Sequence, residues 1–304
     1  MASKFQSPAI AEAMVSDWGW VAPVLFLTLG VAGFISWLAP DVWGIAGELW
    51  NLLGDWAVVH NVSREVDCRP WGFDRSFVIS QDLATTTSAA DSTSSLSWAS
   101  GPRCWDFGHA LWNGAVAMSR LFSEQRASLS KGAFAPGKAV IEMGCGQGLV
   151  SMVVFELFPE LQRVVATDGC DEVLKSAACN LKANLGSESD SLVLAQLCWG
   201  DAEHIAGALA LNGDSKYDVV LGADVTYLEE HDELVDTILA LSHRATEVWI
   251  THEPRSRSIV GLEERLRREF RRVTTLTVQL TASEAGREEG YLIVGWHCIG
   301  KVNA

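Results

Sequence analysis

Lys138 to Gly148 reads KAVIEMGCGQG, an apolar run that passes straight into a glycine turn. Ala139, Val140, Ile141 and Met143 predict a short buried strand. Gly144, Gly146 and Gly148 then let the backbone approach a ligand where a side chain would block it. The next segment, Leu149 to Phe158, carries Leu149, Val150, Met152, Val153, Val154 and Leu157. It predicts a helix whose N-terminus points at whatever the turn holds.

The dinucleotide fingerprint G-x-G-x-x-G needs a third glycine for close helix–strand packing, and here that position is Leu149. A nicotinamide-dependent oxidoreductase is therefore disfavoured. The spacing G-x-G-x-G behind Glu142 is that of the first motif of S-adenosylmethionine (SAM) methyltransferases. The plain alternative is an ordinary tight turn between strand and helix.

Outward from this stretch the pattern alternates. Strands are predicted at 138–143, 163–168, 192–198, 217–223, 246–251, 273–280 and 290–298. Helices are predicted near 107–122, 149–158, 170–185, 228–243 and 257–271. Alternating strands and helices predict an α/β, Rossmann-like fold. Its seven-stranded, mostly parallel sheet would carry helices on both faces. The last two strands have no helix between them, so they should form a C-terminal antiparallel hairpin.

The chain has 304 residues and a formal net charge of −15, which argues against general nucleic-acid binding through phosphates. The arginines at 265, 267, 268, 271 and 272 are interleaved with Glu263, Glu264 and Glu269, as on a solvated helix face. The 7 cysteines form no C-x-x-C pair and have no histidine at zinc spacing, so no metal site is expected. Scattered thiols in an odd number suit a reducing compartment.

The N-terminal part differs in character. Trp18 to Pro40, WGWVAPVLFLTLGVAGFISWLAP, holds no charge and has tryptophans at both ends. It is long enough to cross a bilayer. A buried core or partner-binding helix and a signal peptide are the competing readings. The leading segment is a poor signal n-region, with Lys4 set against Glu12 and Asp17. Asp41 to Val59 has the pattern of an amphipathic helix. Phe73 to Asp82 could supply an edge strand or hairpin, and Ala84 to Ser100 reads as a Ser/Thr-rich linker. Three parts result: hydrophobic and amphipathic helices over 1–60, an edge strand and linker over 61–103, and a catalytic domain over 104–304. The expected location is a membrane anchor with the catalytic domain on the cytosolic side. A soluble cytoplasmic protein is the alternative.

Chemistry-bearing residues fall at predicted strand ends. Asp168 ends the second strand, where an acid can hydrogen-bond both hydroxyls of a ribose. Trp199, in LCWGD, follows the third strand and offers a face to adenine, with Asp201 placed to accept from the exocyclic amine. The fourth strand runs into Gly222-Ala223-Asp224-Val225-Thr226-Tyr227. This sequence lacks the prolines of the N-P-P-Y amino methyltransferases, and it puts one carboxylate and one phenol at the mouth of the site.

Five stretches in order, GHALWNGAVAMSRLF (108–122), VIEMGCGQGLV (140–150), VVATDGCDEVLKSAACNLKAN (164–184), LCWGD (197–201) and YDVVLGADVTY (217–227), resemble the seven-β-strand protein-lysine methyltransferases. Members of that group modify chaperones, calmodulin or translation factors. The resemblance implies SAM held by Trp112, Gly144, Cys145 (through its backbone), Gly146, Asp168, Trp199 and Ala223, with Glu142 and Gly148 in the same motif. It places the family's acid-x-x-aromatic motif on Asp224 and Tyr227, and it implies a lysine-bearing protein substrate. Two features depart from the family. Cys198 stands where the family usually has Asp before the Trp, and the hydrophobic N-terminus is foreign to it. A small-molecule amine methyltransferase and a non-catalytic SAM-binding scaffold are the rival functions.

Overall fold

The computed structural model describes residues 63–81, 108–186, 190–227, 230–254, 259–286 and 289–302. The predicted helices before residue 60, the Ser/Thr-rich linker and the domain start near Cys104 lie outside the described residues. Among the described residues, no helix is long and apolar enough to cross a membrane.

The expected edge strand is β2 (Phe77–Ile79), which pairs antiparallel with β1 (Arg64–Val66) in a separate two-stranded sheet. Helix Asp171–Leu185 completes its edge with side chains. Asn180 Oδ1 accepts from Ser80 N at 2.9 Å, and its Nδ2 donates to Ser80 O at 3.1 Å. One turn on, Asn184 does the same for Val78 N and O, both at 2.9 Å. Two amides at i, i+4 thereby stand in for a third strand.

Seven strands form the main sheet: β3 (Ala139–Met143), β4 (Arg163–Asp168), β5 (Leu192–Gln196), β6 (Tyr217–Ala223), β7 (Ser242–His252), β8 (Phe270–Leu280) and β9 (Tyr291–Lys301). Their spatial order is β5-β4-β3-β6-β7-β9-β8. The first five are mutually parallel, and β9 runs antiparallel between β7 and β8. The Rossmann-like sheet and its C-terminal hairpin are thus as the alternation predicts.

Period-2 alternation sorts the core. Val140, Val164, Val219 and Leu221 face one way, against the helices Asn113–Glu124 and Leu149–Leu157. Ile141, Met143, Val165 and Val220 face the other way, against the helix Asp232–Leu241 and Trp296. All five residues of β3 are buried, so each large apolar one contributes about 1.5–3 kcal/mol of transfer free energy. β3 is the middle of the five parallel strands, with β4 on one side and β6 on the other. The strand order reverses there, and in open α/β sheets ligands bind outside the carboxyl ends of the strands at such a reversal.

Several boundaries differ from the sequence pattern. The first helix starts at Asn113 and not near 107, because Trp112 is extended, with φ −88° and ψ 151°. The helix expected over 228–243 is Asp232–Leu241, and the strand expected over 246–251 runs Ser242–His252. A further helix, Ala202–Ala210, stands between β5 and β6 where the pattern predicts none.

Candidate active site

The three glycines of the turn have φ of 65°, 51° and 83°, the left-handed region where only glycine is at ease. A Cβ on Gly144 would lie 2.9 Å from Val225 Cγ1 and 3.6 Å from Trp199 Cζ2. One on Gly148 would lie 2.7 Å from Leu181 Cδ1, where the following helix packs on Asp171–Leu185. Both glycines thus permit close packing, Gly144 against Val225 and Trp199 and Gly148 against Leu181. Cys145 N donates to Thr167 O at 2.7 Å, which fastens the turn to the end of β4, while burial pushes its thiol well above the usual range.

Asp168 meets the turn directly. Its Oδ2 accepts from Gly146 N and its Oδ1 from Cys170 N, each at 3.1 Å. Burial raises its carboxyl pKa, and the N–H donors of Cys170, Gly146 and Gly169 pull it back down.

Glu142 is only 1 % exposed, and its carboxylate accepts from Ser151 Oγ in the next helix. Burial pushes its pKa from an ordinary 4.5 up to about 8. Between those two values the folded chain holds a proton that the unfolded chain has released, so stability falls as pH rises through that window. Glu142→Gln should match wild type in Tm near pH 4 and exceed it near pH 8. Parallel Tm–pH curves for the two proteins would contradict this.

At the end of β6, Asp224 takes φ 56°, an uncommon conformation that Asp tolerates better than most residues. Its backbone N donates to Thr251 O at 2.9 Å. Its carboxylate accepts from Gly114 N at 2.5 Å and from Glu253 N at 2.7 Å. Thr251 Oγ1 donates to Gly114 O at 2.9 Å. The start of the Asn113–Glu124 helix, and with it Trp112, is thereby tied to the ends of β6 and β7. The side chain read as facing an acceptor amine is largely engaged by the protein's own backbone.

Tyr227 is 41 % exposed, and its ring lies 6.2 Å from that of Trp199. Ala223 closes β6 beside them. Thr226 Oγ1 and His252 Nδ1 are hydrogen-bonded below the rim. The fold therefore brings Gly144, Trp199 and Tyr227 to one opening, Asp168 to the turn, and Trp112 to the Asp224 anchor. Glu142 lies inside, against Ser151. Asp201 serves a helix instead of a ligand. Its Oδ1 accepts from Glu203 N and His204 N as the N-cap of Ala202–Ala210. Cys198 donates its thiol to Gly169 O at 3.6 Å, tying the segment before Trp199 to the end of β4.

Two residues that the sequence pattern does not single out belong here. Gln147, 2 % exposed, donates from Nε2 to Gly108 O at 2.7 Å and accepts at Oε1 from Ser176 and Asn180. His109 is 7 % exposed, and its Nδ1 is buried without a hydrogen-bond partner among the described residues. This orphaned nitrogen, beside the bare backbone of the glycine turn, fits a cofactor with polar groups. Among the described residues, no cluster of His, Cys, Asp or Glu could hold a metal ion.

The sequence profile of a family described as lysine methyltransferase matches residues 97–265, more than half of the chain. Protein-lysine N-methyltransferase EFM3 of Chaetomium thermophilum is 33 % identical over 128 residues, covering 38 % of each chain. EEF1A lysine methyltransferase 3 of Xenopus tropicalis is 31 % identical over 147 residues, 48 % of this chain and 57 % of its own. Protein N-lysine methyltransferase METTL21A of Mus musculus is 31 % identical over 180 residues, 57 % of this chain and 69 % of its own. The chain spans about half the length of the curated relatives it matches.

Proposed function

Since the chain belongs to the lysine methyltransferase family, we propose that it transfers a methyl group from SAM to the ε-amine of a lysine on a protein substrate. The observation that carries the reading is the convergence of four strand ends. The bare backbone of the glycine turn, Asp168 bonded to it, and the Trp199–Tyr227 ring pair lie together at the carboxyl ends of the strands. The names of the relatives support protein lysine as the acceptor.

SAM supplies an activated methyl carbon for in-line displacement. Asp168 would hold the ribose, and Trp199 would cover the adenine. The glycine turn admits the methionyl part against bare backbone. Trp112, held by the helix start that Asp224 anchors, walls the far side. A free lysine amine has a pKa of about 10.4, so the residues at the mouth must favour its neutral form. A lysine side chain seated between the rings of Tyr227 and Trp199 would shed water there, and that desolvation would disfavour the ammonium ion. Positioning supplies most of the rate, since a nitrogen misplaced by about 1 Å costs on the order of a hundredfold. Asp224 acts on that position through Gly114 and Glu253.

The test uses cell extract, separated into membrane and soluble fractions, with the full chain and SAM carrying a labelled methyl group. Mass spectrometry is expected to find the label on lysine side chains of proteins. Label on small molecules alone would overturn the acceptor class, and no label at all would favour a non-catalytic scaffold. Recovery of the enzyme wholly in the soluble fraction would overturn the anchor expected of residues 18–40.

A further inference from the structure

We propose that His109 is a cofactor-binding residue, its Nδ1 hydrogen-bonded to an oxygen of the polar half of SAM, either a ribose hydroxyl or the methionyl carboxylate. This rests on the SAM reading above and adds a contact that lies outside the glycine motif.

The first observation is placement. Gly108 O lies 3.3 Å from where a Cβ on Gly146 would be, so the strap Gly108–Ala110 passes directly over the glycine turn. His109 is the middle residue of that strap.

The second is rigidity. Gly108 O is held by Gln147 Nε2 at 2.7 Å. Leu111 N donates to Gln81 Oε1 at 2.9 Å, and Leu111 O accepts from Arg64 Nη1 at 3.1 Å. Arg64 Nη2 also donates to Asn113 Oδ1 at 2.9 Å. Arg64 and Gln81, at the two ends of the β1–β2 segment, therefore fix the strap on both sides of Trp112. These bonds hold the strap in a place where His109 Nδ1 meets no partner among the described residues.

The third is the cost of leaving the nitrogen as it is. Nδ1 is buried and has no hydrogen-bond partner among the described residues, and such a group is normally satisfied in a native protein. A ring fixed beside the turn with an unmet polar atom fits an absent ligand better than a packing residue. Asp168 puts a carboxyl group beside the turn, and an imidazole N–H next to it is suited to a ligand oxygen.

Calorimetry on the full chain tests this with S-adenosylhomocysteine and with methylthioadenosine, which lacks the amino-acid part. His109→Phe should bind S-adenosylhomocysteine about fivefold or more weakly, the worth of one hydrogen bond. His109→Asn, whose amide reaches the Nδ1 position, should recover most of that loss, whereas a packing role would favour Phe over Asn. An equal loss for methylthioadenosine assigns the ribose, and a loss confined to S-adenosylhomocysteine assigns the carboxylate. Affinities of Phe and Asn variants both equal to wild type would overturn the proposal. Failure of the wild-type chain to bind either compound would instead overturn the SAM reading itself.

Discussion

Asp168→Ala is expected to weaken SAM binding by roughly ten- to a hundredfold, because a hydrogen bond to a charged group is worth about 1.5–3 kcal/mol. Two effects combine. The ribose loses its carboxylate acceptor, and the turn loses a brace, since Asp168 accepts from Gly146 N and Cys170 N. Asp168→Asn separates them. Its Oδ1 still accepts from one backbone N–H, so the turn stays closer to its native path. Its neutral amide lacks the charge that strengthens the bond to the ribose. The expected order of affinity is wild type, then Asn, then Ala. Calorimetry with S-adenosylhomocysteine at a pH well above the carboxyl's titration range measures it. Equal affinity in wild type and Ala would remove Asp168 from the cofactor site.

Local pattern and long-range contact divide what the sequence reveals of this site. β3 and β4 are legible because a buried parallel strand is a continuous apolar run, and Val140, Ile141, Val164 and Val165 supply it. The glycine turn is legible for a related reason, as a local chemical need that spacing alone reveals. Helix Ala202–Ala210 is not: AEHIAGALA is short, contains Gly207, and buries only Ala208. Its cap Asp201 therefore reads as a ligand contact until the helix behind it is seen. β1 has just 3 residues, too few to show any periodicity. Its partner strand is completed by Asn180 and Asn184, which lie far along the chain from Ser80 and Val78. Contacts at such separation leave no local pattern. The same holds for His109, whose unmet nitrogen becomes visible only once the strap is folded over Gly146.

Asp224 shows how the structure changes a prediction about a residue that the sequence itself singles out. From D-V-T-Y alone, the carboxylate faces the acceptor amine, and its removal should leave SAM binding nearly intact. In the fold it accepts from Gly114 N and Glu253 N, so its removal leaves two backbone donors without their acceptor at once. Asp224→Ala should therefore lower stability by about 1–3 kcal/mol. It should also weaken SAM binding by a small factor, because Gly114 stands next to the Trp112 segment. Turnover should fall far more, on the order of a hundredfold, since the ends of β6 and β7 set where the amine sits. Tyr227→Phe is the companion measurement. Tyr227 is exposed at the rim, so its phenol should affect the Michaelis constant for protein substrate and leave Tm alone. Rates, SAM affinity and Tm belong on one preparation of each variant, below the lower Tm. If Asp224→Ala methylates substrate at the wild-type rate there, the mouth of the site lies elsewhere. If its loss of rate is matched by an equal loss of SAM affinity, Asp224 serves the cofactor through the helix start, with no separate effect on the amine.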